Sequence, residues 1–149
     1  KDKLAVVAEH QSHARFVAQY DANNAYQYVI NREETQLTWL ANAIAADGLA
    51  VPESPVAAAA APGGRVRDGG RSLFESDARN AQAFIERWRP RVDALGHARH
   101  RAMLRVILGE TREQQRFFEH MLAGREDLLG RRLPGSSTGD GVLPVRWIS

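Results

Sequence analysis

At 149 residues with a formal net charge of +2 and no cysteine, the chain is long enough to fold as one domain without staples. The lack of cysteine excludes disulfide frameworks, cysteine zinc sites and thiol nucleophiles. No apolar run approaches the roughly 20 residues of a membrane span, and the first residues lack the apolar core of a signal peptide. We therefore expect a cytoplasmic protein with no membrane span. A trimmed N-terminus stays an alternative, because the first residue is Lys1.

The first part of the chain predicts a helical hairpin over residues 4 to 46. Apolar residues recur at helical spacing from Leu4 to Tyr20 and again from about Ala25 to Ala46. The polar residues 21–24 between these segments are typical of a cap and tight turn, which predicts two antiparallel helices.

Residues 49–72 change in composition to Pro, Gly and a run of Ala, which indicates a long connection rather than a packed element. A bundle needs such a crossover when two parallel helices are joined end to end. The connection therefore favours two hairpins joined by a crossover.

The second hairpin is predicted over residues 73 to 129. Its first helix starts near Ser72 and runs past Trp88, with an almost wholly apolar inward face. Its second helix spans about His97 to Leu129 and carries polar residues among large apolar ones.

The C-terminal tail, residues 131–149, begins with a polar, Gly-rich spacer. Five large apolar residues then fall within seven positions, which predicts an anchor that binds another protein chain, in a homo- or hetero-oligomer. The alternative is that the tail folds back over its own helices. The apolar residues are Val142, Leu143, Val145, Trp147 and Ile148.

Two helical segments resemble metal-binding motifs of the ferritin-like superfamily, of the rubrerythrin and bacterioferritin type. Arg32-Glu-Glu-Thr-Gln-Leu-Thr-Trp-Leu40 looks like the second-helix motif, and Glu110-Thr-Arg-Glu-Gln-Gln-Arg-Phe-Phe118 looks like the fourth-helix motif. The resemblance implies an all-α, ferritin-like four-helix bundle over residues 1–130, built from the two antiparallel hairpins and the crossover.

The resemblance also implies a di-iron centre, with one Glu on helices one and three and Glu-x-x-His on helices two and four. Glu33 matches the second-helix Glu, but Gln36 stands where the family has His. On the fourth helix Gln114 again replaces His, and Thr111 stands at the Glu position. We therefore expect no conventional di-iron centre and predict no cofactor, with iron or manganese as the alternative.

An atypical metal site is the second interpretation of the polar core residues. With the first reversal near Asn23, His13 is predicted to face Glu33, and His10 to face Gln36. Such a cluster binds one metal or forms a hydrogen-bonded network without metal, and we favour the network. The residues of a possible metal site are His10, His13, Glu33, Glu110 and Glu113.

The basic residues are almost all Arg, and several cluster between positions 79 and 105. We interpret this cluster as an ion-paired surface and do not expect nucleic-acid binding, because stacking platforms and a recognised nucleic-acid module are missing. The sequence thus predicts a non-catalytic structural or accessory subunit of a protein assembly. The alternative is a metal-binding, ferritin-like oxidoreductase or iron-handling protein.

Overall fold

The computed structural model describes residues 1–53, 70–125 and 128–129, and within these ranges the chain is all-α with no strand. The predicted all-α class with four helices is confirmed. The helices are α1 (Asp2–Ala14), α2 (Tyr20–Ala46), α3 (Arg71–Asp93) and α4 (Ala98–Leu122). Most of the predicted crossover, residues 54–69, lies outside the described ranges.

The first two helices form an antiparallel pair. Lys3 at the start of α1 binds Glu33 in the middle of α2, and Asn23 at the start of α2 binds the end of α1. The turn between them differs from the prediction, since residues 15–19 connect the helices and residues 21–24 already lie in α2. The amide of Asn23 explains the shift, because its Nδ2 donates to the carbonyl oxygens of Ala14 at 2.9 Å and Val17 at 3.3 Å. The Asn23 side chain, of a type common in turns, thus provides hydrogen bonds to carbonyl oxygens at and just beyond the C-terminal end of α1.

The last two helices form a second antiparallel pair. Asp93, which ends α3, accepts hydrogen bonds from Arg105 near the start of α4. At the other end Arg71, which begins α3, donates to the carbonyl oxygen of Leu122, which ends α4. Further contacts between α2 and α4 join the two hairpins.

Helix α4 ends seven residues before the predicted boundary at Leu129, at Leu122. Gly124 has a φ of 70°, a left-handed conformation that Gly adopts at little cost after a helix. The backbone N–H of Arg125 then donates to the carbonyl oxygen of His120, as expected for a helix closed by such a glycine. The predicted helix was too long because the apolar residues Leu128 and Leu129 continue the helical pattern beyond Gly124.

The two ends of the bundle are packed differently. At the end where α1 stops and α3 starts, the buried ring of Tyr26 lies 6.2 Å from that of Phe74 and 5.3 Å from that of Phe118, measured between centroids. At the opposite end α2 continues to Ala46, well past Glu33, the level at which α1 begins. An apolar groove of about 300 Å³ lies there.

Candidate functional site

The centre of the α1 and α2 pair is a buried carboxylate with both oxygens engaged. Glu33 is fully buried on α2. Its Oε1 accepts a hydrogen bond from Nζ of Lys3 at 2.8 Å, and its Oε2 lies 2.8 Å from Nδ1 of His10. Lys3 and His10 are also buried, so the carboxylate of Glu33 is paired with both away from water.

The electrostatic environment favours the charged forms of His10 and Glu33. Burial acts to lower the pKa of His10, but the charge and hydrogen bond of Glu33 outweigh it, and the pKa of His10 is raised above its ordinary 6.5. Burial acts to raise the pKa of Glu33, but His10 and then Lys3 outweigh it, and the pKa of Glu33 is lowered from 4.5. Each group therefore favours the charged form of the other inside the bundle.

A second buried carboxylate, Asp77 on α3, extends this network to the other hairpin. Nδ1 of His13 lies 2.9 Å from each oxygen of Asp77, and the hydroxyl of Tyr26 donates to Oδ2. Nε2 of His10 is 3.8 Å from Oδ1 of Asp77, so the His10 ring lies between both carboxylates. Burial, and then the charge of Asp77, raise the pKa of Tyr26 far above its ordinary value. We call this set the charged cluster: Lys3, His10, His13, Tyr26, Glu33 and Asp77.

The charged cluster corrects two sequence predictions. His10, not His13, contacts Glu33, because the turn comes earlier than predicted and shifts the pairing of α1 with α2. The inward face of α3 is not wholly apolar, because Asp77 is fully buried on it. The spacing of Asp77, three residues after Phe74 and four before Ala81, would have identified it as inward-facing. Nothing in the local sequence marked Lys3 as buried.

Two buried glutamines, Gln36 on α2 and Gln114 on α4, lie in the same core, and we call them the amide pair. Nε2 of Gln36 donates to Glu110, which also accepts from Arg32. Oε1 of Gln36 and both amide atoms of Gln114 are buried without a hydrogen-bond partner among the described residues. The hydroxyl of Thr111 is satisfied by its own helix, donating to the carbonyl oxygen of Ile107 at 2.8 Å.

The structure therefore separates the predicted metal residues. His10, His13 and Glu33 share the charged cluster, Glu110 binds Arg32 and Gln36 at its edge, and Glu113 is exposed on α4. This donor set does not fit the di-iron centre that the resemblance implies. Both oxygens of Glu33 are engaged by Lys3 and His10, and the amide pair offers weaker ligands than imidazoles.

Among the described residues, one other combination of side chains has metal-ligand geometry. Glu9, His13 and Asp77 each offer one donor atom, and these three atoms lie within 4.8 Å of one another. Glu9 is half-buried, while His13 and Asp77 are buried. Glu9 and Asp77 were not among the ligands predicted from the sequence, although Glu9 lies one turn from His13 on the same face of α1.

Three of the arginines predicted to form an ion-paired surface have a carboxylate partner among the described residues, and Arg101 instead donates to the carbonyl oxygen of Leu95. Arg79 binds Glu75, Arg87 binds Asp2, and Arg105 binds Asp93, with the paired atoms 2.8 to 3.0 Å apart. These pairs are largely exposed and add little stability. The guanidinium of Arg91 lies 5.1 Å from the ring centroid of Trp88.

The apolar groove has a volume of about 300 Å³. It lies between the N-terminal ends of α1 and α4 and the C-terminal parts of α2 and α3. Six of its side chains are Leu37, Leu40, Ile44, Phe84, Trp88 and Leu104. The predicted tail anchor, Val142 to Ile148, lies outside the described residues.

Comparison with protein-family models, with curated proteins and with solved structures gives no significant match. Among the helices in the described ranges, none combines the length and hydrophobicity required to cross a membrane. The charged cluster, the amide pair and the apolar groove are therefore the features of the described residues that bear on function.

Proposed function

We propose that the chain is a non-catalytic structural or accessory subunit with a ferritin-like arrangement of its four helices. The engagement of Glu33 by Lys3 and His10 is the observation that carries the proposal. A carboxylate whose two oxygens already bind two cationic groups has no free oxygen with which to bridge metals. The ammonium of Lys3 thus supplies charge that a metal would otherwise supply.

The ferritin-like arrangement is supported by the same region. Buried polar residues come from all four helices, as they do in the superfamily pattern: His10 on α1, Glu33 on α2, Asp77 on α3 and Gln114 on α4. Gln36 and Gln114 stand at the positions where that pattern has histidine. Such a bundle remains a rigid scaffold when its metal-ligand positions are occupied by residues that do not bind metal.

The scaffold associates with a second copy of itself, and the tail of one copy occupies the apolar groove of the other. The groove is lined by large apolar side chains from all four helices, and the tail brings five large apolar residues after a spacer. Burial of such residues, with Trp147 as the main anchor, is the usual source of affinity for a short peptide. The spacer from residue 130 to 141 spans up to about 40 Å when extended, enough to reach a neighbouring bundle.

Sedimentation velocity of the full chain over a range of concentrations tests this association. We expect a dimer or larger assembly that becomes monomeric when residues 139–149 are deleted. Leu40→Asp, which places a charge in the groove, should have the same effect. Val106→Asp is the matched control, because Val106 is an exposed apolar residue of α4 that does not line the groove.

Two outcomes contradict the association. One is a monomer at every concentration whose melting temperature falls when the tail is deleted, because the tail then folds back on its own bundle. The other is an assembly that persists in both the deletion and the Leu40→Asp variant. Circular dichroism of each variant confirms that the helices are intact.

The rival function is an iron- or manganese-handling oxidoreductase with ligands from His10, His13, Glu33, Glu110 and Glu113. It predicts near-stoichiometric iron or manganese in the purified protein, lost on Glu33→Ala. We expect the purified chain to contain no iron or manganese that depends on Glu33, and to lack ferroxidase activity after incubation with ferrous iron.

A further inference from the structure

We propose that Glu9, His13 and Asp77 bind one divalent transition-metal ion, of the class of Zn²⁺ or Mn²⁺, between α1 and α3. The site goes beyond the proposed function, since it involves neither Glu33 nor the amide pair. Its three donor atoms lie within 4.8 Å of one another, a separation that a single ion can span with small side-chain adjustments.

The placement of the ligands follows from the helices. Glu9 and His13 are four residues apart on α1, so their side chains share one face of the helix. Asp77 lies opposite them on α3, where Nδ1 of His13 is already 2.9 Å from its oxygens. Binding replaces this one hydrogen bond with bonds from both residues to the ion, and Tyr26 continues to orient the Asp77 carboxylate through Oδ2.

The donor set selects the class of ion. Two carboxylates compensate the charge of a divalent cation, and one imidazole favours zinc, manganese or ferrous iron over calcium and magnesium. Three protein ligands leave positions for water.

An ion can reach the site from the surface. Glu9 is half-buried, and its Oε1 is held by Nδ2 of Asn80 at 2.9 Å. Both residues line a groove of about 300 Å³ between α1 and α3, so the site opens to solvent on the side of Glu9. Glu33, in contrast, is enclosed by buried partners.

The ion would strengthen the contact between the two hairpins. The contacts between α1 and α3 at this level are polar: Asp77 with His13, and Asn80 with Glu9. A metal that binds residues of both helices stabilises the folded chain, by an amount that rises with the logarithm of its free concentration above the Kd. The expected role is therefore structural.

Calorimetric titration of the EDTA-treated full chain with ZnCl₂, and separately with MnCl₂, tests the site. We expect one ion per chain and a higher melting temperature in its presence. Glu9→Gln should weaken binding about tenfold or more. Gln retains an oxygen that accepts from Asn80, so this variant removes the charge without removing the hydrogen bond.

Glu34→Gln is the control, because Glu34 is an exposed carboxylate of α2 that accepts from Gln11 and lies outside the site. It should bind the ion with unchanged affinity. Absence of binding, or equal affinity in Glu9→Gln and the unmodified chain, overturns the proposal. Binding that survives Glu9→Gln but is lost in Glu33→Gln would move the ion to Glu33 and contradict both this site and the proposed function.

Discussion

The charged cluster and the amide pair lie side by side in the same core, yet they satisfy their polar atoms to different extents. Each carboxylate of the charged cluster has at least two partners, from Lys3 and His10 for Glu33, and from His13 and Tyr26 for Asp77. Gln36 and Gln114 together leave three buried atoms without a partner among the described residues. A buried charge is far more costly to leave unpaired than a buried amide, which explains the difference.

Substitutions in the charged cluster and in the amide pair should change the free energy of unfolding in different ways. Removing a member of the charged cluster leaves opposite charges buried and uncompensated, whereas removing an unpaired amide leaves nothing unsatisfied. Substitutions in the charged cluster should therefore destabilise the fold, whereas replacement of Gln114, whose amide has no partner among the described residues, should stabilise it.

Glu33→Ala should have the largest effect, a loss of about 3 to 5 kcal/mol in the free energy of unfolding. Lys3 and His10 would lose their common partner inside the bundle, and a cavity would replace the side chain. Urea unfolding followed by circular dichroism measures the loss. Glu75→Ala is the control, because its pair with Arg79 is exposed, and it should change stability by less than about 1 kcal/mol. Similar effects for the two variants would show that Glu33 is hydrated in solution.

The arrangement of the charged cluster was only partly predictable from sequence. His10, His13 and Glu33 were identified because polar residues interrupt apolar helical faces. Their partners depend on where α1 ends, and that boundary is set by Asn23, whose side chain caps one helix while its backbone begins the next. A local pattern does not distinguish this from an ordinary turn.

Asp77 and Lys3 were missed for different reasons. Asp77 lies on a periodic face and was obscured by the strong apolar signal around it. Lys3 is near the start of the chain, where an exposed ammonium is the usual expectation, and only the tertiary position of Glu33 accounts for its burial. The number of helices could be predicted from the spacing of apolar residues and from the Gly and Pro residues that end helices. Which polar side chains pair in the core depends on the three-dimensional arrangement.

The dependence of stability on pH should show that the charged cluster acts through charge. The pKa of His10 is raised above 6.5 on folding, so its contribution is complete below that pH and is lost as the pH rises through the folded-state pKa. The pKa of Glu33 is lowered below 4.5, so its contribution is present above that pH and is lost as the pH falls through the folded-state pKa. The pair therefore stabilises most between about pH 4.5 and 6.5.

Urea unfolding of the unmodified chain and of His10→Gln, both in EDTA, measures this dependence. The difference in free energy of unfolding should be largest between these two pH values and should decrease at higher pH as His10 loses its proton. Lys3 and Asp77 also face His10, so the titration of its ring by NMR is the direct check. A ring that titrates below pH 6.5 would contradict the expectation.

The amide pair should give the smallest effects, with opposite signs at its two positions. Gln114→Met replaces an amide without a described partner by an apolar side chain of similar length, so we expect a gain of about 1 kcal/mol. Gln36→Met removes a hydrogen bond to Glu110 and should cost about 1 kcal/mol. Urea unfolding at neutral pH compares both with the unmodified chain. A loss of stability in Gln114→Met would instead show that its amide is hydrogen-bonded in solution. The adjacent cavity of about 20 Å³ can hold one water molecule, and the amide pair would then be as well satisfied as the charged cluster.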